Sequence, residues 1–99
     1  MNWLDYKKKF EPCKNWIISN QSLSGAIFWD EKGKCDPWDH CECLIALAIY
    51  EEWEHFWKGV NWFFTNLNED GLIYAEFQNE KPSKLYYESH HAPYIIMPL

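Results

Sequence analysis

A shift of 46 residues lays this chain over itself without a gap. Asn15-Trp16-Ile17-Ile18-Ser19-Asn20 falls on Asn61-Trp62-Phe63-Phe64-Thr65-Asn66, and Gly25-Ala26-Ile27-Phe28 falls on Gly71-Leu72-Ile73-Tyr74. The match continues more loosely, with Glu42 over Glu88 and Ala46 over Ala92, and Leu99 falls over Trp53. Periods of about 40 to 50 residues mark stacked helical pairs, units that bury their apolar faces only against one another. Two copies follow, at about 8–53 and 54–99. Each reads as a helix, a glycine-centred turn, an extended piece and a second helix.

Local signals place the helices. Pro12 suits the first turn of a helix running to about Asn20. Phe56, Val60, Phe63 and Leu67 recur at helical spacing, and Asn68-Glu69-Asp70-Gly71 closes that segment. Asp36 is placed to cap the next helix of the first copy, with Pro37 in its first turn and Asp39 three residues on. The interior of that helix, Cys43 to Tyr50, is apolar on every side, which belongs inside something larger. The expectation is a ring of outer and inner helices to which this chain contributes the start, with self-association if further repeats are lacking.

Composition narrows the partners. Fifteen acids stand against nine lysines and no arginine, a net charge of −6 that argues against a phosphate-backbone binder. Lys7-Lys8-Lys9 reads as the solvated face of a first helix. No apolar run reaches the roughly 20 residues that span a bilayer, and the start of the chain lacks the apolar core of a secretory leader, so a cytoplasmic location is expected. Cys13, Cys35, Cys41 and Cys43 are expected as reduced thiols. Cys35, His40, Cys41 and Cys43 lie close in sequence, but a C-x-C pair on a helix diverges by about 200°, and no metal or other cofactor is assigned.

Gly25-Ala26-Ile27-Phe28-Trp29 followed by Gly33-Lys34-Cys35-Asp36-Pro37-Trp38-Asp39-His40-Cys41-Glu42 resembles the bacterial prenyltransferase-like proteins with squalene-cyclase-type repeats. Lys84-Leu85 through Ala92-Pro93-Tyr94-Ile95 resembles part of their next repeat. The resemblance implies an all-α fold, the α/α toroid of terpenoid cyclases and protein prenyltransferases, of which this chain would supply about two hairpins with short extended segments after Gly25 and Gly71. It lacks the D-x-D-D acid motif of that superfamily, offering only Asp36-x-x-Asp39, and no zinc set of the prenyltransferase kind is identifiable.

In a toroid, the loops entering the inner helices rim the cavity. Asp36, Trp38, Asp39, His40 and Glu42 would then face Tyr86, Tyr87, Glu88, His90 and His91. Glu42 and Glu88 are the leading candidates for acid or base, because a carboxylate recurs one turn into an apolar helix where it must be paired or functional. Asp39 and His40 join them as catalytic candidates, although capping accounts for Asp36 and Asp39, and a histidine at a helix start commonly serves as a hydrogen-bonding group. Asp36, Trp38, Trp29, Tyr86, Tyr87, His90 and His91 are expected to bind substrate, the aromatic rings through stacking or cation–π contact. The functional expectation is a prenyltransferase-like or cyclase-like transferase or isomerase acting on an isoprenoid, or a glycosidase-like hydrolase acting on a glycan. The alternatives are a non-catalytic helical-repeat binding or assembly module and an inactive remnant.

Overall fold

A computed structural model describes residues 2–99. Helix α1 (Trp3–Lys9) opens on Asn2, whose side chain accepts from the Asp5 backbone while Asp5 reaches back to the Asn2 N–H, so two orphan donors are satisfied together. Helix α2 (Glu11–Ser19) follows with Pro12 in its first turn. A short strand β1 (Lys34–Cys35) leads into α3 (Pro37–Ile49), which Asp36 caps by accepting from the Asp39 N–H at 2.8 Å. Helix α4 (Trp53–Thr65) returns antiparallel after Glu51, which takes a positive φ of 57°.

Beyond α4 the chain becomes a sheet. Strands β2 (Tyr74–Gln78) and β3 (Lys81–Tyr87) form an antiparallel hairpin, and β1 pairs with the free side of β2 to give the order β1-β2-β3. The register sets Cys35 beside Phe77, Tyr74 beside Tyr87 and Glu76 beside Lys84, with irregular pairing between Tyr74 and Phe77. The two-residue turn Asn79-Glu80 has positive φ at both positions, the twist that a tight hairpin demands. A 3-10 turn (Pro93–Ile96) completes the described chain.

The all-α toroid expectation is therefore corrected: the fold is mixed, four helices against a three-stranded antiparallel sheet. The second copy does not build a second helix, and its sequence gives the reason. Where the first copy has the cap Asp36-Pro37, the second has Pro82-Ser83, and where Leu44 and Leu47 fill the core, His90 and Pro93 stand. A proline in mid-helix removes a hydrogen bond and clashes with the preceding turn, while Leu85-Tyr86-Tyr87 favours an extended chain.

The core lies between α3, α4 and the inner face of the sheet. Leu44 and Leu47 meet Phe56, Val60, Trp62 and Phe63, and the alternation of Ile73, Ala75 and Phe77 turns one side of β2 into it. Two glycines permit close approaches to α3 and α4. A Cβ on Gly59 would lie 2.3 Å from Leu44 Cδ2, and one on Gly25, where φ is +107°, would lie 2.0 Å from the Lys58 carbonyl oxygen. The total surface of 6308 Å² is near the roughly 6,000 Å² expected of a folded monomer of this mass. Within residues 43–50, Leu44 and Leu47 are covered from within, Cys43, Ile45, Ala46, Ala48 and Tyr50 are half-buried, and Ile49 is exposed.

Candidate functional site

The N-terminal end of α3 and the segment after β3 together make the most chemically endowed surface. Trp38 sits in the first turn of α3, and one turn on, Glu42 accepts its indole N–H at 2.6 Å. The segment after β3 folds back onto this tryptophan. Tyr94 stacks on it at 4.1 Å with the ring planes 9° apart, and His90 meets it edge-on at 4.7 Å. Buried Ile95 anchors the 3-10 turn that carries Tyr94. Trp38, His90, Pro93, Tyr94, Ile96 and Met97 line an open hollow of about 430 Å³.

Electrostatics act on Asp39, the neighbour of Trp38 on α3. Burial, then the nearby charges of Asp36 and Glu42, push Asp39 up to about 6, with Lys34 opposing. Asp39 thus holds its proton to a higher pH than an isolated aspartate does. A carboxyl that keeps its proton toward neutral pH is suited to act as a proton donor. The Tyr94 hydroxyl is also pushed up, by desolvation and by Glu42.

His90 packs edge-on against His91 at 4.7 Å. His91 is 7% exposed, its Nδ1 has no hydrogen-bond partner, and burial lowers its proton affinity against the pull of Asp36 and Glu88. Glu88 lies half-buried in the segment after β3, its carbonyl accepting the His91 N–H at 3.2 Å.

Several candidate residues lie elsewhere. His40 is 1% exposed and serves as a clamp: Nδ1 accepts the Ile27 N–H at 3.2 Å, which leaves the proton on Nε2 to donate to the Gly59 carbonyl at 2.8 Å. With both nitrogens engaged beneath Trp62, it has no face toward a substrate. Tyr86 and Tyr87 are both exposed on β3, where Tyr87 stacks on Tyr74 at 5.1 Å and its hydroxyl accepts from Asn68. Trp29 lies over the Lys34 ammonium at 3.6 Å. Glu42 is exposed, contrary to the expectation that an apolar helix leaves it no solvated face, because it occupies the outward side of the first two turns of α3.

The structure thus gathers Asp36, Trp38, Asp39, Glu42, His90 and His91 and sets Glu88 beside His91; of all the candidates only Trp38 and His90 line the hollow itself. Tyr94 is the residue that sequence reasoning missed, since it reaches Trp38 through a chain reversal with no periodic signature. The four cysteines are free thiols, and burial raises the proton affinity of Cys35, Cys41 and Cys43. Among the described residues no group of three or more His, Cys, Asp or Glu is placed to hold a metal ion, and no helix is long and apolar enough to cross a membrane.

No protein-family model matches the chain. Over 63 residues, 64% of its length, it is 35% identical to the MMP endo-(1,4)-3-O-methyl-alpha-D-mannosidase of Mycolicibacterium hassiacum. The chain spans 18% of that protein. This likeness corrects the family resemblance read from the Cys-Asp-Pro-Trp-Asp-His string. The chain is similar to part of a mannosidase, and neither the fold nor the comparison supports a prenyltransferase-like, squalene-cyclase-repeat or terpenoid-cyclase assignment, nor a transferase.

Proposed function

We propose that this chain forms a carbohydrate-binding part of a glycan-hydrolysing protein. The observation that carries the reading is Trp38, bonded through its indole N–H to Glu42, flanked by Tyr94 and His90, and adjoined by an aspartic acid of raised proton affinity. A sugar ring has an apolar C–H face and a polar rim. The aromatic wall of the hollow suits the first, and Glu42 with Asp39 suits the second. Similarity to a mannosidase favours a mannose-type glycan as the occupant.

Below about pH 6, Asp39 is the proton donor. Its proton passes to the glycosidic oxygen as the bond to the anomeric carbon breaks. The carboxylates of Glu42 and Asp36 face the positive charge developing on the sugar, and water adds its hydroxide to that carbon and returns a proton to a carboxylate. A binding role without turnover is the second reading, favoured by the engagement of Glu42 with Trp38.

Titration with an α-(1,4)-linked manno-oligosaccharide, read by tryptophan fluorescence, tests the proposal. Saturable quenching is expected, weakened roughly tenfold or more in Trp38→Ala. Unchanged affinity in that variant sinks the assignment. Release of reducing ends by the unmodified chain, lost in Asp39→Asn with binding intact, separates hydrolysis from binding alone.

A further inference from the structure

At the other end of α3, roughly 16 Å of helix away from Trp38, lies a second concavity that the glycan reading does not use. Its volume is about 310 Å³, at the small end of ligand sites, which run from about 300 to 1,000 Å³. Trp3, Tyr6 and Phe10 form one wall, because positions three, four and seven apart share a helical face. Ala46 and Ile49 of α3 form the other. Trp3, Tyr6, Phe10 and Ile49 are 63, 47, 55 and 43% exposed, so the hollow is open and its apolar walls face water.

Charge at this hollow has one sign. Lys7 is its single charged lining residue, with the ammonium 5.4 Å from the Tyr50 ring centroid. Lys7, Lys8 and Lys9 make no ion pair among the described residues, whereas Lys14, Lys34 and Lys84 all do. Glu11 lines the adjoining hollow rather than this one and leans toward Lys14 at 4.0 Å. An apolar trough with one lysine outside any ion pair, Lys7, at its rim is complementary to an amphiphile with a hydrocarbon tail and an anionic head.

We propose that the trough between α1 and the C-terminal end of α3 binds a free, single-chain acyl carboxylate, with the tail against Trp3, Phe10 and Ile49 and the carboxylate at Lys7. The tail supplies most of the affinity and the lysine selects the head. Removing two methylenes should therefore weaken binding roughly tenfold.

Titration of the chain with decanoate below its micelle-forming concentration, read by tryptophan fluorescence, gives the test. Saturation is expected, with octanoate roughly tenfold weaker. Decyltrimethylammonium, with the same tail and the opposite head, should bind more weakly than decanoate, and Lys7→Glu should reverse that order while circular dichroism stays unchanged. Ile49→Asp should abolish uptake of both. Equal affinity for the two heads, indifference to Lys7→Glu, or binding to phosphatidylglycerol vesicles without uptake of monomeric decanoate each overturns the proposal. So does a dimer in light scattering that dissociates in Ile49→Asp and takes up no decanoate, since a second copy would then be the occupant.

Discussion

The two copies of the 46-residue repeat agree closely for their first half and part company in the second. Asn20 and Asn66 end their helices in the same way, each donating its amide to the carbonyl four residues back, Trp16 at 3.0 Å and Trp62 at 2.8 Å. The turns that follow are also matched: Ser22 N–H donates to Ala26 and Asn68 N–H to Leu72, both at 2.8 Å, and Gly25 and Gly71 both take positive φ. Past that point one copy enters α3 and the other enters a β-hairpin. Similarity carried by caps and turns is local, and it does not oblige the next segment to repeat when its capping residue and its core leucines have changed.

Matched positions allow that divergence to be tested by paired substitutions. The largest effect is expected at Leu44, fully buried in α3, against its counterpart His90 on the exposed segment after β3. Leu44→Ala should cost about 4 kcal/mol in urea unfolding, from lost transfer energy plus the cavity left behind. His90→Ala should cost well under 1 kcal/mol. Comparable losses at both positions would mean that the second copy is packed like the first. Next come the paired glycines. An alanine Cβ at Gly25 meets the Lys58 carbonyl at 2.0 Å, whereas at Gly71 it meets nothing within 4 Å, so only the left-handed backbone is penalised there. Gly25→Ala should cost about 3 kcal/mol and Gly71→Ala about 1 kcal/mol, again by urea unfolding.

These pairs also explain what was legible in the sequence. The helix starts at Pro12 and Asp36, the helical spacing of Phe56, Val60 and Phe63, and the turns at Gly25 and Gly71 are local chemistry, and all formed as read. The hairpin was hidden by the repeat itself. The alternation of Ile73, Ala75 and Phe77 with Tyr74, Glu76 and Gln78 is a strand signature, but its Asn79-Glu80 turn lacks the glycine that usually marks such a reversal. The candidate site was readable where it depends on one turn of α3, as with Asp36, Trp38, Asp39 and Glu42. The part made by folding the end of the chain back, above all Tyr94 on Trp38, rests on contacts between distant residues that no spacing encodes.

His40 and Tyr86 occupy the same repeat position, one clamped in the core and one exposed on β3. Burial lowers His40 to about 4 from 6.5, with the bond to Gly59 opposing. The folded chain therefore refuses a proton that the unfolded chain accepts. The stabilisation is complete above pH 6.5 and is lost as the pH falls toward 4. Between pH 7 and pH 5 the loss from this group should be about 2 kcal/mol in the unfolding free energy. Asp39 acts with the opposite sign: raised to about 6 from 3.8, it takes up its proton earlier in the folded chain, so its contribution grows as pH falls through that window. Asp39→Asn should accordingly steepen the acid loss, and the His40 ring should show no NMR titration above pH 5. A His40 midpoint near 6.5 would break the clamp.

The smallest expected effect compares Lys14 with Val60, which fill equivalent slots and are 9% and 4% exposed. One copy buries an isopropyl group where the other buries a lysine stem. The lysine is held by Glu52, whose Oε1 lies 3.0 Å from Nζ, and by the Tyr50 ring at 5.7 Å. Glu52→Gln removes the nearer of two counter-charges, leaving Glu11 at 4.0 Å, and should cost about 1 kcal/mol or less at low salt, less still at high salt, because both glutamates are partly solvated. Adding Lys14→Met should recover most of that loss, since the valine at the matched position indicates that such a slot accepts an apolar side chain, and replacing both partners of a buried pair is often neutral. A double-mutant cycle reads the difference. If the double variant is less stable than Glu52→Gln alone, the lysine stem and its cation–π contact hold that slot independently of the ion pair, and the equivalence of Lys14 and Val60 ends at the backbone.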